Sequence, residues 1–335
     1  MDEKLLTELA NVPSNVEDAD KELEVLTNEY ARLYDASYKE RQRLNYELDL
    51  IKKLGIAKIF LLGHRLCNND VISASICTEG YSYVNYLLGI SLVNPILYNL
   101  PFERLFNEYR IVLPEYCFYV EKGAKGLLLK AIYEDLGKNT IMRSKDNICA
   151  YFISSRPINE DLIKEKIIVA NENKEAYEEN ISILTRQELY ALGYYCFDVI
   201  EVEKIGYSTR EKFSEEEIYQ KAKKLFPNYQ VEDAPAFTEI EEVKNILVNT
   251  EYKLIYQDQL IEILHKICGF DLAKADFLRR EIAKAKKGSL SEVQKILLEK
   301  FGDKGQKLFD YLYKQGRYTV LKAYVIASLH NMIEY

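Results

Sequence analysis

Apolar positions recur at helical spacing through residues 38–54, where Leu44, Leu48, Ile51 and Leu54 share one face and Gly55 supplies a stop. One long helix is predicted there. Residues 1–37 read as one or two acidic helices broken near Pro13-Ser14. Residues 56–62 are a short, mostly apolar segment, strand or helix. Asn68-Asn69-Asp70 is a turn, residues 82–90 form a helix, and Asn94-Pro95 breaks the pattern. At residues 115–120 the period changes to two. Glu115, Cys117 and Tyr119 alternate with Tyr116, Phe118 and Val120, the mark of a strand.

Further along, residues 126–136 predict a helix closed at Gly137, and residues 149–153 a buried strand. A turn with Pro157 spans 154–159, followed by a strand at 166–170 and a short helix at 185–192. A strand over 194–202 carries Asp198. Residues 203–236 become charged, with Pro227 and Pro235, and hold one helix opened by the capping box Ser214-x-x-Glu217. From Ile240 onward the pattern is all helix. Leu260, Ile263, Leu264 and Ile267 form one apolar face. Ser289-x-x-Glu292 caps another helix, with Val293, Ile296 and Leu297 inward and Gly302 at its end.

Length adds a domain count: 335 residues suggest two domains with ample core. Charge adds an asymmetry. The chain is at -8 overall, yet residues 251–335 hold 15 Lys+Arg against 11 Asp+Glu, and residues 1–37 hold 10 acidic against 3 basic side chains. Only the C-terminal third therefore has the sign that phosphate binding needs. Six scattered cysteines, without a CxxC pair, and three histidines argue against zinc and for free thiols in a reducing cytosol. No signal peptide is visible and no apolar run approaches a membrane span.

Several segments, in order, resemble the palm and fingers of the bacterial DNA polymerase III alpha subunit, a family C polymerase. Tyr38-Lys39-Glu40-Arg41, Leu44, Tyr46-Glu47-Leu48, Ile51 and Gly55 look like the helix that enters the palm. Tyr86-Leu87-Leu88-Gly89-Ile90, Asn94-Pro95, Phe102-Glu103-Arg104, Asn107, Arg110 and Pro114 follow the family's YLLGI, FERF and proline–aspartate run. Ile153-Ser154, Pro157-Ile158, Leu192-Gly193 and Phe197-Asp198 match later palm strands. Tyr256-Gln257-Asp258-Gln259, Gly269 and Ala275-Asp276 through Arg279-Arg280 resemble the fingers signature, and Ala323-Tyr324 its closing helix.

The resemblance implies an α+β fold: a small nucleotidyltransferase-like (polymerase beta-like) palm sheet with a mainly helical fingers domain. It partitions the chain into acidic N-terminal helices (1–37), a palm-like domain (38–202), a linker with one helix (203–239) and a fingers-like domain (240–335). The family's metal-binding aspartates fall on Glu115, Cys117 and Asp198. Two-metal phosphoryl transfer needs several hard oxygen ligands. Glu115 and Asp198 could hold one magnesium ion, whereas Cys117 is a soft ligand and cannot replace a bridging carboxylate. The family's glycine-rich triphosphate loop falls on Ser75-Ile76-Cys77-Thr78 and Tyr81-Ser82, and only Ser82 survives. The stretch from Lys138 to Asn147 is too short for the family's thumb.

Arg279, Arg280, Lys284 and Lys287, with Lys286 between the last two, match family positions that contact phosphates; an ordinary solvated helix face is the plainer reading. Cys117 and Cys196, if on adjacent strands, form a disulfide or thiolate site or, more simply, pack as two small apolar side chains. The expectation is a catalytically inactive relative of the alpha subunit, cytoplasmic, that binds DNA, a replication protein or another copy of itself. No cofactor is expected, and Mg2+ only with residual activity. The alternatives are an active nucleotidyltransferase with a rearranged metal site, and a protein-interaction module that does not bind DNA.

Overall fold

The structure is a computed structural model, and it describes residues 18–67, 78–109, 116–124, 126, 128, 140–145, 148–153, 195–208, 210, 212–227, 240–284, 287–330 and 333–334. Expectations at 1–17, 68–70, 154–159, 166–170 and 185–192, most of 126–136, and Glu115 itself lie outside the described residues. The chain divides into two units: Met1–Ile96 with Ile111–Ser208 and His330–Tyr335, and Leu97–Arg110 with Thr209–Leu329.

The first unit opens with helices α1 (Ala19–Leu33), α2 (Tyr38–Leu54), α3 (Ala57–Cys67) and the short α4 (Tyr83–Leu87). The termini of α2 are chemically marked. Ser37 caps it in a reciprocal box with Glu40, and Gly55 ends it at φ 67°, a left-handed turn that favours glycine. Its buried face is Leu44, Glu47, Leu50, Ile51 and Leu54, while Leu48 sits half-buried on the flank. One inward position is thus a carboxylate rather than the expected leucine. Segment α3 is a helix buried nearly all round, through Ile59, Phe60, Leu61 and Leu62. Burial on every face erases the period, which is why its pattern alone reads as strand or helix. Helix α4 is shorter than the expected 82–90, because Gly89 turns the chain at φ 71° and Asn94-Pro95 follows.

A four-stranded mixed sheet completes this unit, in the order β1-β4-β3-β2, from β1 (Cys117–Glu121), β2 (Thr140–Lys145), β3 (Ile148–Ile153) and β4 (Tyr195–Val202). Strand β1 runs parallel to β4, and the other pairs are antiparallel. Phe118, Val120, Phe197 and Val199 are buried, and the Phe118 and Phe197 rings meet edge to face at 5.8 Å. Tyr119 is buried too, so the alternation along β1 separates its faces less cleanly than its sequence implies. A two-stranded ribbon pairs β5 (Lys204–Ile205) with β6 (Ile333–Glu334). The chain therefore does not stay helical after Ile240; a two-residue strand carries no period to read.

The second unit is helical: α5 (Glu215–Leu225), α6 (Glu241–Leu247), α7 (Gln257–Lys266), α8 (Leu272–Ala283), α9 (Ser291–Phe301), α10 (Asp303–Gln315) and α11 (Lys322–His330). Both hydrogen bonds of the Ser214–Glu217 capping box form at α5. Leu260, Ile263, Leu264 and Ile267 enter the core with Val293 and Leu297. Ser289 does not cap α9. It lies within a 3-10 turn, Lys287–Leu290, and Leu290 is the N-cap. Helices α9 and α10 form a tight hairpin. A Cβ at Gly305 would stand 1.8 Å from the Leu297 carbonyl oxygen. Gly305→Ala must force the two backbones apart, and urea unfolding should show a loss of about 1–3 kcal/mol, the usual range for overpacking. An unchanged midpoint would show that the hairpin is not held at this spacing.

Candidate functional site

Strand register decides which of the sequence-selected residues meet. Cys117 on β1 lies directly across from Asp198 on β4, and the Asp198 N–H donates to the Tyr116 carbonyl at 2.8 Å. Neighbours in one row project to the same side of a sheet. Both side chains are half-buried. On its other side Asp198 has Ala150. Cys117 forms no disulfide. Cys196 is two residues short of Asp198 along β4 and opposite Phe152, so the register does not set it against Cys117. Among the described residues no group of three His, Cys, Asp or Glu side chains is placed to hold a metal ion.

Ser82 lies elsewhere in the same unit and is turned inward. Its hydroxyl donates to Glu47 Oε2 at 2.7 Å and accepts from the Asn85 N–H at 3.1 Å. Glu47 is fully buried and closes the N-terminus of α4, accepting from the N–H groups of Tyr83 (2.9 Å) and Val84 (3.1 Å). A carboxylate suits this place because the first amides of a helix lack intrahelical partners. Arg43 neutralises it at 2.5 Å and also donates to the Tyr81 carbonyl at 3.0 Å. Behind α4 the Tyr116 hydroxyl donates to Asn85 Oδ1 at 3.2 Å, and burial pushes that phenol far above its usual range.

The cationic candidates belong to the second unit. Asp276, fully buried in α8, accepts from Arg279 Nε at 2.8 Å, Arg280 Nε at 3.2 Å and Asn107 Nδ2 at 2.9 Å. The Arg279 side chain is 5% exposed and that of Arg280 19%. Both arginines are therefore bound into an internal cluster that ties α8 to the 3-10 segment Phe102–Arg104 and Asn107. Lys284 caps the end of α8 and is exposed. Lys287 opens the following 3-10 turn.

Two family profiles match. "Bacterial DNA polymerase III alpha NTPase domain" covers residues 20–148, and "Bacterial DNA polymerase III alpha subunit finger domain" covers residues 217–305. A DNA polymerase III subunit alpha from Staphylococcus aureus (strain N315) is 34% identical over 102 residues, 29% of this chain and 10% of that protein. One from Aquifex aeolicus (strain VF5) is 37% identical over 79 residues, 22% of this chain and 7% of that protein. This chain is a partial polymerase III alpha-like protein. It spans about a tenth of the length of the curated relatives it matches.

In this alpha-like chain Cys117 falls inside the first matched region, whereas Asp198 lies between the two. No described helix is long and apolar enough to cross a membrane. The two buried carboxylates that organise the candidate regions, Glu47 and Asp276, escape a reading that looks for surface chemistry. A signal for Glu47 exists: it stands three residues after Leu44 and four before Ile51, on the apolar face of α2.

Proposed function

We propose that the chain is a non-catalytic relative of the replicative alpha subunit and acts by binding, to DNA or to a replication protein. In this reading the mixed sheet of the first unit is a palm-like sheet, and the helices of the second are fingers-like. The observation that carries it is the Cys117 thiol in register with Asp198. The resemblance puts a second metal-bridging carboxylate at that position. Among the described residues, one hard oxygen donor beside a soft thiol does not fit a pair of magnesium ions. Without that pair, phosphoryl transfer loses the charge stabilisation on which it depends. No step through a metal is therefore assigned, and the cytoplasm is the proposed location.

Primer extension by the purified protein on a primed template, with Mg2+ or Mn2+, is expected to stay at background. Fluorescence anisotropy with the same duplex should show an affinity that falls steeply with salt, by a slope of about 0.9 for each phosphate neutralised. Exposed Lys284 at the end of α8 is the described cation that would make such a contact, whereas Arg280 is held by Asp276. A flat salt response with no DNA binding would make the protein an interaction module instead, which includes contact with a second copy. The half-exposed Asp198 favours one other reading, an active nucleotidyltransferase with a rearranged site. Metal-dependent extension that disappears in Asp198→Ala would establish it.

A further inference from the structure

The second unit holds a cavity of about 240 Å³ that the reading above does not use. Its floor is apolar, with Phe226 and Pro227 at the end of α5 facing Ile255 and Val320. Two backbone hydrogen bonds fix that floor: Val320 N–H to the Ile255 carbonyl and Gln257 N–H to the Val320 carbonyl, both at 2.9 Å. Its rim is cationic, with Lys223 and Lys253. Glu251 lies between the two ammonium groups, 3.4 Å from Lys223 Nζ and 3.5 Å from Lys253 Nζ. It also accepts from the Tyr219 hydroxyl at 3.1 Å. The Tyr219 hydrogen bond, followed by Lys223 and Lys253, holds this carboxyl below its usual range. Its side chain is nevertheless 57% exposed, so water competes for the same contacts.

The backbone under this ion cluster is unusual. Glu251 and Tyr252 are consecutive non-glycine residues at φ 52° and 62°. Left-handed geometry at two successive side-chain-bearing residues is disfavoured. Glu251, the first of the two, is the residue whose carboxylate meets both ammonium groups. An apolar floor with a small number of charged groups at the mouth is the make-up of a small-molecule site. The rim carries two positive charges against one resident negative charge, so it favours an anion. The volume lies below the roughly 300 Å³ at which drug-sized sites begin, which limits the occupant to about one ring and leaves out a nucleoside triphosphate.

We propose that this cavity binds a small apolar anion, a single aryl or branched acyl group bearing one phosphate or carboxylate. The apolar body lies on Phe226, Ile255 and Val320, and the charge takes the place of Glu251 between Lys223 and Lys253. Glu251 then acts as a built-in competitor for the site.

Titration of the full chain by calorimetry, with phenyl phosphate, benzoate, benzyl alcohol and inorganic phosphate, tests this. Saturable binding is expected for phenyl phosphate, benzoate or both, and whichever binds assigns the head group. Benzyl alcohol and inorganic phosphate, each lacking one half of the recognised chemistry, should bind more weakly. Lys223→Met and Lys253→Met should each weaken the aryl anion by about two- to fivefold, the scale of a partly exposed ion pair. Glu251→Gln should tighten it by about the same factor, because the competitor is gone. A gain in affinity is not what a misfolded variant gives, so this arm separates binding from damage. The proposal fails if neither aryl anion saturates, if inorganic phosphate binds as tightly as phenyl phosphate, or if all three variants bind as the parent does.

Discussion

Glu47→Ala is expected to cost the first unit about 3–5 kcal/mol, the range for leaving one member of a buried ion pair without its partner. Arg43 keeps 20% of its side chain in water, so the charge it loses is partly absorbed by solvent. The rest of the cost comes from donors. The Ser82 hydroxyl and the N–H groups of Tyr83 and Val84 all end on this carboxylate. A buried donor left unmade costs about 1–3 kcal/mol, although such costs do not simply add. The chain has no tryptophan, so urea unfolding is best followed by circular dichroism and tyrosine fluorescence. Glu47→Gln keeps the shape but offers a single acceptor oxygen and two unwanted donors, and should fall near 2 kcal/mol. A loss below about 1 kcal/mol for the alanine variant would mean that water or another group replaces the carboxylate, and the structural role argued for Glu47 would be wrong.

Asp276→Ala should be of similar size, about 3–5 kcal/mol, because Arg279 and Arg280 both lose their buried carboxylate. The Arg279 side chain is 5% exposed, against 20% for Arg43, so solvent offers it less help. A second consequence is local. Asn107 loses its hold on α8, and the 3-10 segment Phe102–Arg104 loses one of its anchors. Hydrogen exchange should therefore quicken across residues 101–109 before the rest of that unit. Unchanged exchange there, with a stability loss below about 1 kcal/mol, would show that the cluster contributes little beyond packing.

Parts of this structure can be read directly from residue order. Helix α2 has a reciprocal cap, a periodic face and a left-handed glycine, and its limits follow. Helix α5 is announced by Ser214 and Glu217 in the same way. Other parts carry no such mark. Helix α3 is apolar on all sides. Strand β2, Thr140–Lys145, mixes polar and apolar residues, and its partner β3 supplies the reason it is extended. Ser289 and Glu292 have the spacing of a cap, yet the turn before α9 tightens to 3-10 geometry and moves the cap to Leu290.

The candidate site divides similarly. Cys117 and Asp198 come to notice only through a family resemblance, and strand register, which no spacing in the chain specifies, is what sets them side by side. Ser82 and Arg279 come to notice through the same resemblance. Their orientation depends on Glu47, set in an otherwise apolar face, and on Asp276, whose buried face also carries Arg279 and Glu281.

If the chain is non-catalytic, as proposed, the carboxylate at the start of α4 also bears on any attempt to install polymerisation in it. An aspartate at Cys117 on β1 would change only the strand side of the proposed site. The N–H groups of Tyr83 and Val84 already hold a negative group supplied by α2, so a second anion brought to that helix start would meet like-charge repulsion. A design that placed an anion there would have to alter the interior of α2 as well as the strands.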